Sequence, residues 1–199
     1  MNDQESTVIS ARGRPRSREI GDRIVAATLA LLAESGYSAL TLEGIAKAAG
    51  VARPTIYRRW PGKAALVADV LADSIPPLVL PDTGDAVGDL MTAAVEFIVT
   101  MSESPYGPVA YGLLAEAHHD DELANHLQRA YVAARVVSVL GLIERAQHAG
   151  RLAGDIPPDV VRDIVFGPLI FRWLVAGQPM DRCNARRLVE IAFRAVESR

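Results

Sequence analysis

Cysteine is nearly missing from this chain. Cys183 stands alone in 199 residues, so no disulfide can form within one chain, which suits a reducing cytoplasm. No apolar run reaches the roughly 18 residues that a membrane span needs, so no membrane partner is expected. The opening stretch MNDQESTVISARGRPRSREI lacks an apolar core, and no secretory signal is read there. No segment alternates apolar and polar residues in the manner of a half-buried strand, and no internal repeat is visible. Nucleophile motifs, glycine-rich phosphate loops and paired carboxylates are absent too, so neither an enzyme nor a cofactor is expected. The run His118-His119-Asp120-Asp121-Glu122 gathers metal-ligating residue types. Adjacent histidines diverge by about 100° on a helix, however, and the i, i+4 pair of a helical zinc site is lacking. The run reads as an acidic helix start, and no metal is expected.

Half of the residues are hydrophobic, enough for a proper core in one large domain or in one small and one medium domain. The net charge of −3 argues against a polyanionic partner only until its distribution is examined. Residues 12 to 63 hold ten Lys/Arg and four acids, hence +6, whereas residues 76 to 199 hold eleven Lys/Arg and sixteen acids, hence −5. An anionic partner therefore belongs to the N-terminal part.

Residues 1–16 lack apolar periodicity and read as a flexible basic arm, because Gly13 and Pro15 oppose a helix. Arg12, Arg14 and Arg16 on such an arm suit a minor groove or phosphates; a solvated tail is the bland alternative. Ser17 caps a helix over about 18–35, whose stripe is Ile20, Ile24, Ala27, Thr28, Leu31 and Leu32, with Gly36 ending it. Thr41 caps a two-turn helix with Leu42, Ile45, Ala46 and Ala49 inward, and Gly50 stops it. A third helix opens at Arg53-Pro54, anchored by Ile56 and covered by Trp60. A fourth runs from Lys63 to about Ser74, before Pro76-Pro77. Beyond the Pro-rich stretch 76–84, five more helices fit the periodicity: about 85–101, one from Ser104-Pro105, about 120–149, about 159–176 and about 181–197. The fold class is all-α with about nine helices, divided as an arm (1–16), a small basic domain (17–75) and a larger acidic one (76–199).

The second and third helices with their glycine turn have the layout of a helix-turn-helix, which lays its second helix in the major groove of double-stranded DNA. Arg53 is the first choice for a base contact, since arginine can bond a guanine edge at two atoms. Thr55 suits a phosphate or a thymine methyl, and Tyr57 the same. Arg58 and Arg59, a turn later, reach base or backbone, unless one of them pairs with Glu43. Lys63 and Thr41 sit at helix starts and suit phosphates. Trp60 reads as core.

Several landmarks together resemble the DNA-binding domain of the tetracycline-repressor (TetR) family of bacterial regulators, over about residues 17–72. They are Gly36-Tyr37, Thr41-Leu42-Glu43-Gly44-Ile45-Ala46, Ala49-Gly50-Val51, Thr55-Ile56-Tyr57, and Trp60-Pro61-Gly62-Lys63 with Leu66. The rest of the chain resembles that family's ligand-binding and dimerisation domain in helix number and order, and in Phe166-Gly167-Pro168-Leu169-Ile170. Three positions depart from the family's common pattern: Arg59 where many members have His, Trp60 where Phe is usual, and Ala52 where Ser is frequent. The resemblance implies a homodimeric, cytoplasmic repressor on a palindromic operator, released by a small-molecule effector. Ile164, Pro168, Phe171, Val175, Leu188, Ala192, Phe193 and Val196 offer more apolar surface than one face needs, and are the expected dimer interface. Phe97, Met101, Tyr106, Tyr111, His118 and Phe166, with Leu114, Val137 and Ile170, are the expected walls of an effector pocket. The scarcity of charge on the fifth and sixth helices points to an apolar or weakly polar effector. The rival reading is a small-molecule carrier or enzyme that uses the C-terminal cavity and keeps a vestigial helix-turn-helix.

Overall fold

The computed structural model describes residues 14–76 and 78–198, the side chains of residues 14–17 excepted. Every regular element among these residues is helical, apart from one isolated antiparallel bridge between Leu152 and Glu197. The helices are α1 (Arg14–Ala39), α2 (Leu42–Ala49), α3 (Arg53–Tyr57), α4 (Lys63–Ser74), α5 (Ala86–Glu103), α6 (Gly107–Glu116), α7 (Asp121–Leu127), α8 (Ala133–His148), α9 (Pro158–Ile170) and α10 (Arg182–Arg194). A π-helical turn, Gln128–Val132, joins α7 to α8 without a break, so the described residues hold nine rods. A second π turn, Phe171–Val175, extends α9.

The first helix starts earlier than expected. Arg14 and Arg16 belong to its backbone rather than to a flexible arm, because Pro15 falls in the first turn, where its missing N–H leaves no bond unmade. Arg12 lies outside the described residues, as do the side chains of Arg14 and Arg16. Gly36 breaks the helix at φ 73°, ψ 177°, a conformation that disfavours any residue with a Cβ. The buried stripe is Ile24, Thr28, Leu29 and Leu32, with Ile20, Ala27 and Leu31 only half-buried. Thr28 satisfies its hydroxyl by donating to the Ile24 carbonyl at 2.7 Å.

The chain divides into two compact units, Met1–Lys63 and Ala64–Arg199. The division falls at the start of α4 rather than at the prolines after it. Ala64, Ala65, Leu66, Val67, Ala68, Val70 and Leu71 are all buried, and a helix apolar on nearly every side belongs to a core. In the first unit α1 packs on α2 and α2 on α3, around Ile45, Ile56 and Trp60. In the second, α5 is the central rod, covered by α8, α9 and α10. Leu90, Ile98, Leu142, Ile143, Val161, Leu169 and Phe193 fill that core. Asp89, buried on α5, accepts from the Thr83 amide at 3.0 Å and the Thr83 hydroxyl at 2.7 Å, which fixes the loop before α5. Where α6 starts, a Cβ on Gly107 would meet the Met101 carbonyl oxygen at 2.0 Å, so only glycine allows α6 to fold back this closely on the end of α5. Helix α9 passes through Pro168 and loosens only at its π turn.

Phe193 is 2% exposed in this core. Phe193→Ala should lower unfolding stability by about 3–5 kcal/mol in urea titrations at fixed protein concentration. A loss within about 0.5 kcal/mol, the range of surface substitutions, would place this side chain outside the core.

Candidate nucleic-acid interface and ligand cavity

The reading head of the first unit rests on one turn. Thr41 caps α2, its Oγ1 accepting from the Gly44 amide at 3.0 Å. Gly50 ends α2 in the left-handed conformation, φ 63°, ψ 39°. Its amide donates to the Lys47 carbonyl at 3.2 Å, and that of Val51 to the Ala46 carbonyl at 3.0 Å. This pair of bonds is a Schellman motif, which sets the exit direction of the chain. Helix α3 follows after Ala52, which offers no side-chain cap, with Pro54 in the first turn. Only Ile56 of α3 is buried, fully so, and Trp60 is 3% exposed beside it. Arg53, Pro54, Tyr57, Arg58 and Arg59 are exposed, and Thr55 is half-buried.

Tyr57 donates its hydroxyl hydrogen to Glu43 Oε1 at 2.7 Å, tying α3 to α2 across the turn. Glu43 is thus taken by Tyr57 and not by Arg58 or Arg59. The phenol's bond, helped by a backbone bond and by Arg53, holds the Glu43 carboxyl below its ordinary range. The same bond pushes the Tyr57 phenol above its own. Arg59 lies over the Trp60 ring, 4.6 Å from its centroid, and close to α1, where a Cβ on Gly21 would stand 3.6 Å from Nη1. Lys63 donates to the Tyr37 carbonyl at 3.0 Å and sits over the Tyr37 ring at 4.2 Å. Arg23 belongs to no motif in the sequence. Its Nη1 would be 3.7 Å from a Cβ on Gly50, so α1 supplies a cation beside the turn. Nothing local marks it, because its neighbour is 27 residues on.

The second unit contains a cavity of about 360 Å³ lined by Phe97, Tyr111, Leu114, Phe166 and Ile170, and also by Tyr131 and Arg135. Phe97 and Phe166 meet edge to face at 5.6 Å, and Tyr111 and Trp173 at 5.4 Å. Burial pushes the phenols of Tyr111 and Tyr131 up. Met101 is buried in the wall of an adjoining hollow of about 350 Å³ that shares Phe97 and Arg135. Tyr106 and His118 line neither. The first precedes α6 and the second follows it, so neither keeps the helical register that would turn it inward. His118 is exposed, with Nδ1 3.2 Å from the Leu114 carbonyl, and Val137 is 69% exposed. Asp120 caps α7, accepting from the Leu123 amide at 2.9 Å, as its acidic neighbourhood suggested.

The apolar surface of α9 and α10 is partitioned differently from the expected interface. Ala192, Phe193 and Val196 are buried within the chain, because the inward face of α10 is needed to cover α5. Phe171 and Val175 are 61% and 67% exposed, Pro168 is exposed, and Ile164 and Leu188 are half-buried. Ile191, at 54%, and Leu174 extend the exposed set.

The first unit is a helix-turn-helix by geometry, a five-residue helix with Arg53 at its start and Arg58 and Arg59 just past its end, held across a glycine turn. Residues 24–70 match the family described as bacterial regulatory proteins, tetR family, and residues 80–192 match the tetracyclin repressor-like, C-terminal domain. The chain belongs to the TetR family of DNA-binding transcriptional regulators. It is 33% identical over 190 residues to the HTH-type transcriptional regulator YdeS of Bacillus subtilis (strain 168), covering 95% of this chain and 96% of that one. It is 27% identical to the DNA-binding transcriptional repressor TetR of Mycobacteroides abscessus, over 90% and 93% of the two chains. The crystal structure of the TetR family transcription regulator SCO0332 superposes with a TM-score of 0.64 at 29% identity, covering 89% of this chain and 98% of that one.

The Glu43–Tyr57 bond has a defined pH window. Glu43 is depressed in the folded state, so its contribution is present above the unfolded carboxylate pKa and is lost as pH falls through the lower folded one. Tyr57 is raised, so its contribution is lost only as pH rises through its folded pKa, above the usual phenol range. In Tyr57→Phe, a carbon-13 NMR titration should show the Glu43 midpoint rising toward the ordinary carboxylate range. An unchanged midpoint would remove the bond from the account.

Proposed function

We propose that this regulator is a homodimeric repressor that binds a palindromic operator and releases it when a small molecule occupies the cavity of the second unit. The observation that carries the reading is the exposed cations Arg53, Arg58 and Arg59, on and just after α3, presented by a turn that two Schellman bonds close. Arg53 is the base reader, and Thr55 a phosphate or methyl contact. Tyr57 acts chiefly by fixing α3 on α2 through Glu43, and its exposed half adds contact area. The Thr41 hydroxyl accepts from Gly44, which leaves its O–H to donate to a phosphate. Lys63 has one of its three donors on the Tyr37 carbonyl, so it offers a phosphate an ammonium already held in place. Arg58 serves the backbone, and Arg59, stacked on Trp60, is both brace and charge. Arg12, Arg14 and Arg16 add phosphate contacts from the N-terminal end.

One short helix reads too few bases for specificity, and a second copy supplies the other half-site. Phe171, Leu174, Val175 and Ile191, with Pro168, Ile164 and Leu188, make α9 and α10 the pairing helices of a four-helix interface. An effector releases the operator only if it binds one conformation better than the other.

Selection of binding sites from random duplexes by the purified full chain should return a palindrome. Arg53→Ala should then relax one base position per half-site at a cost of about 1–3 kcal/mol. Lys63→Ala should weaken all sequences alike and lower the salt slope by about 1. Absence of sequence-specific binding at low salt would sink the repressor reading and favour a carrier or enzyme that uses the cavity. Sedimentation supplies an independent check. The wild type should be a dimer at micromolar concentration, and Phe171→Asp should shift it to monomer; a monomeric wild type would contradict the interface.

A further inference from the structure

Arg135 is the unusual side chain of the cavity wall. It is half-buried, and its guanidinium carbon lies 4.1 Å from the Tyr131 ring centroid. Its hydrogen bonds all go to neutral carbonyls: Nη1 to Tyr131 at 2.8 Å, and Nη2 to Ile75 at 3.0 Å and Pro76 at 3.2 Å. Among the described residues it has no ion pair. Two carboxylates border the two hollows that Arg135 joins, and each is taken by another arginine. Asp163 is bound by Arg162 at 2.9 and 2.7 Å, and Glu96 by both terminal nitrogens of Arg182. In the cavity of about 360 Å³ the Arg162–Asp163 pair is self-balanced, which leaves the positive charge of Arg135 over in a wall that is mostly aromatic and aliphatic. A half-buried cation without a counter-charge favours an anion that can displace its neutral partners.

We propose that Arg135 receives the carboxylate of an aromatic monocarboxylic acid seated in the cavity, and that this exchange releases the carbonyls that follow α4. The inference rests on the cavity being the effector site and narrows the apolar or weakly polar effector expected from the sequence. Four aromatic rings in the wall, those of Phe97, Tyr111, Tyr131 and Phe166, fit the body of such a molecule. A volume of about 360 Å³ is at the small end of ligand pockets and suits one or two fused rings. Tyr111 adds a phenol that has no hydrogen-bond partner among the described residues and lines the same space. The π turn Gln128–Val132 sets Tyr131 and Val132 in the wall, and such turns recur at functional sites.

The release follows from the shape of the guanidinium. It offers a carboxylate two forks, Nη1 with Nη2 and Nε with Nη2. Both use Nη2, which is already bonded to the Ile75 and Pro76 carbonyls. A forked carboxylate therefore competes with these carbonyls for Nη2. They follow directly on α4, so ligand charge is read out at the end of that helix.

The test compares 2-naphthoate with 2-naphthamide, matched in shape and differing in charge, by calorimetric titration of the full chain. The wild type should bind the carboxylate at least about tenfold more tightly at low salt. Arg135→Gln should bind the two alike, and Arg135→Lys should keep part of the preference. Because Arg135→Gln also cuts the ties to three carbonyls, the wild-type comparison carries the test without it. Hydrogen exchange over residues 70–80 should quicken with naphthoate and not with naphthamide. Equal affinities in the wild type would overturn anion recognition while leaving the cavity as an effector site. Binding of neither probe would overturn the proposal and take with it the support for the cavity. A preference that survives Arg135→Gln would put the anion elsewhere, and unchanged exchange would overturn the release.

Discussion

A helix of five residues cannot hold itself. Nucleating a helical turn costs more than so few bonds return, and isolated helices of this length do not persist in water. Yet α3 is the element that presents the basic surface. Everything about the first unit follows from that constraint. Ile56 and Trp60 give α3 a buried side, the Schellman bonds at Gly50 and Val51 set its approach, and Tyr57 fastens it to α2 through Glu43. The functional side chains are then free to be polar, because none of them has to stabilise the helix by burial. Tyr57 is the exception that does both, half exposed and yet bonded inward.

The second unit meets the opposite demand. It must bury a large apolar surface and still leave some uncovered. Helix α5 is its common floor, and α10 covers it with Ala185, Val189, Ala192 and Phe193. Having spent that face inward, α10 shows Ile191 on its other side, while the π turn after α9 shows Phe171 and Val175. These exposed apolar side chains, on two consecutive helical segments, are what the proposed pairing of two copies rests on. The division is a matter of helical register: residues 189, 192 and 193 share a stripe from which 191 points away.

Local signals made much of this legible in advance. Gly36 and Gly50 announce helix ends, Thr41 announces a start, and Ile56 and Trp60 are apolar islands in a basic stretch, so the motif could be placed before any coordinates. The charge asymmetry between segments said which part meets the polyanion. What stayed hidden depends on residues far apart in the chain. The Glu43–Tyr57 bond spans 14 positions, and that of Arg135 to Ile75 spans 60. No periodicity encodes such pairs. Where helical register held, Phe97, Tyr111 and Phe166 line the cavity. Tyr106 and His118, just outside α6, line neither hollow. The interface set failed at Ala192, Phe193 and Val196 because an amphipathic stripe does not say which neighbour will cover it. Pro15 misled for a different reason, since a proline that forbids a helix interior is welcome in a first turn.

Helix α4 is where the two demands meet along the chain. Its first residue, Lys63, closes the first unit and is tied to the Tyr37 carbonyl; the carbonyls just past its last turn are tied to Arg135. Each tie is a cation bonded to neutral oxygens, and each cation is of the kind that bonds an anion more strongly. Under the proposed function those anions are a DNA phosphate at one end and a ligand carboxylate at the other. Neither tie is a salt bridge, so neither end is locked by a charge that would have to be desolvated again. At the Arg135 end an exchange replaces bonds to neutral carbonyls, while the Lys63 tie uses one of three donors and persists beside a phosphate. Linkage then requires reciprocity: whatever factor the ligand takes from DNA affinity, DNA takes from ligand affinity.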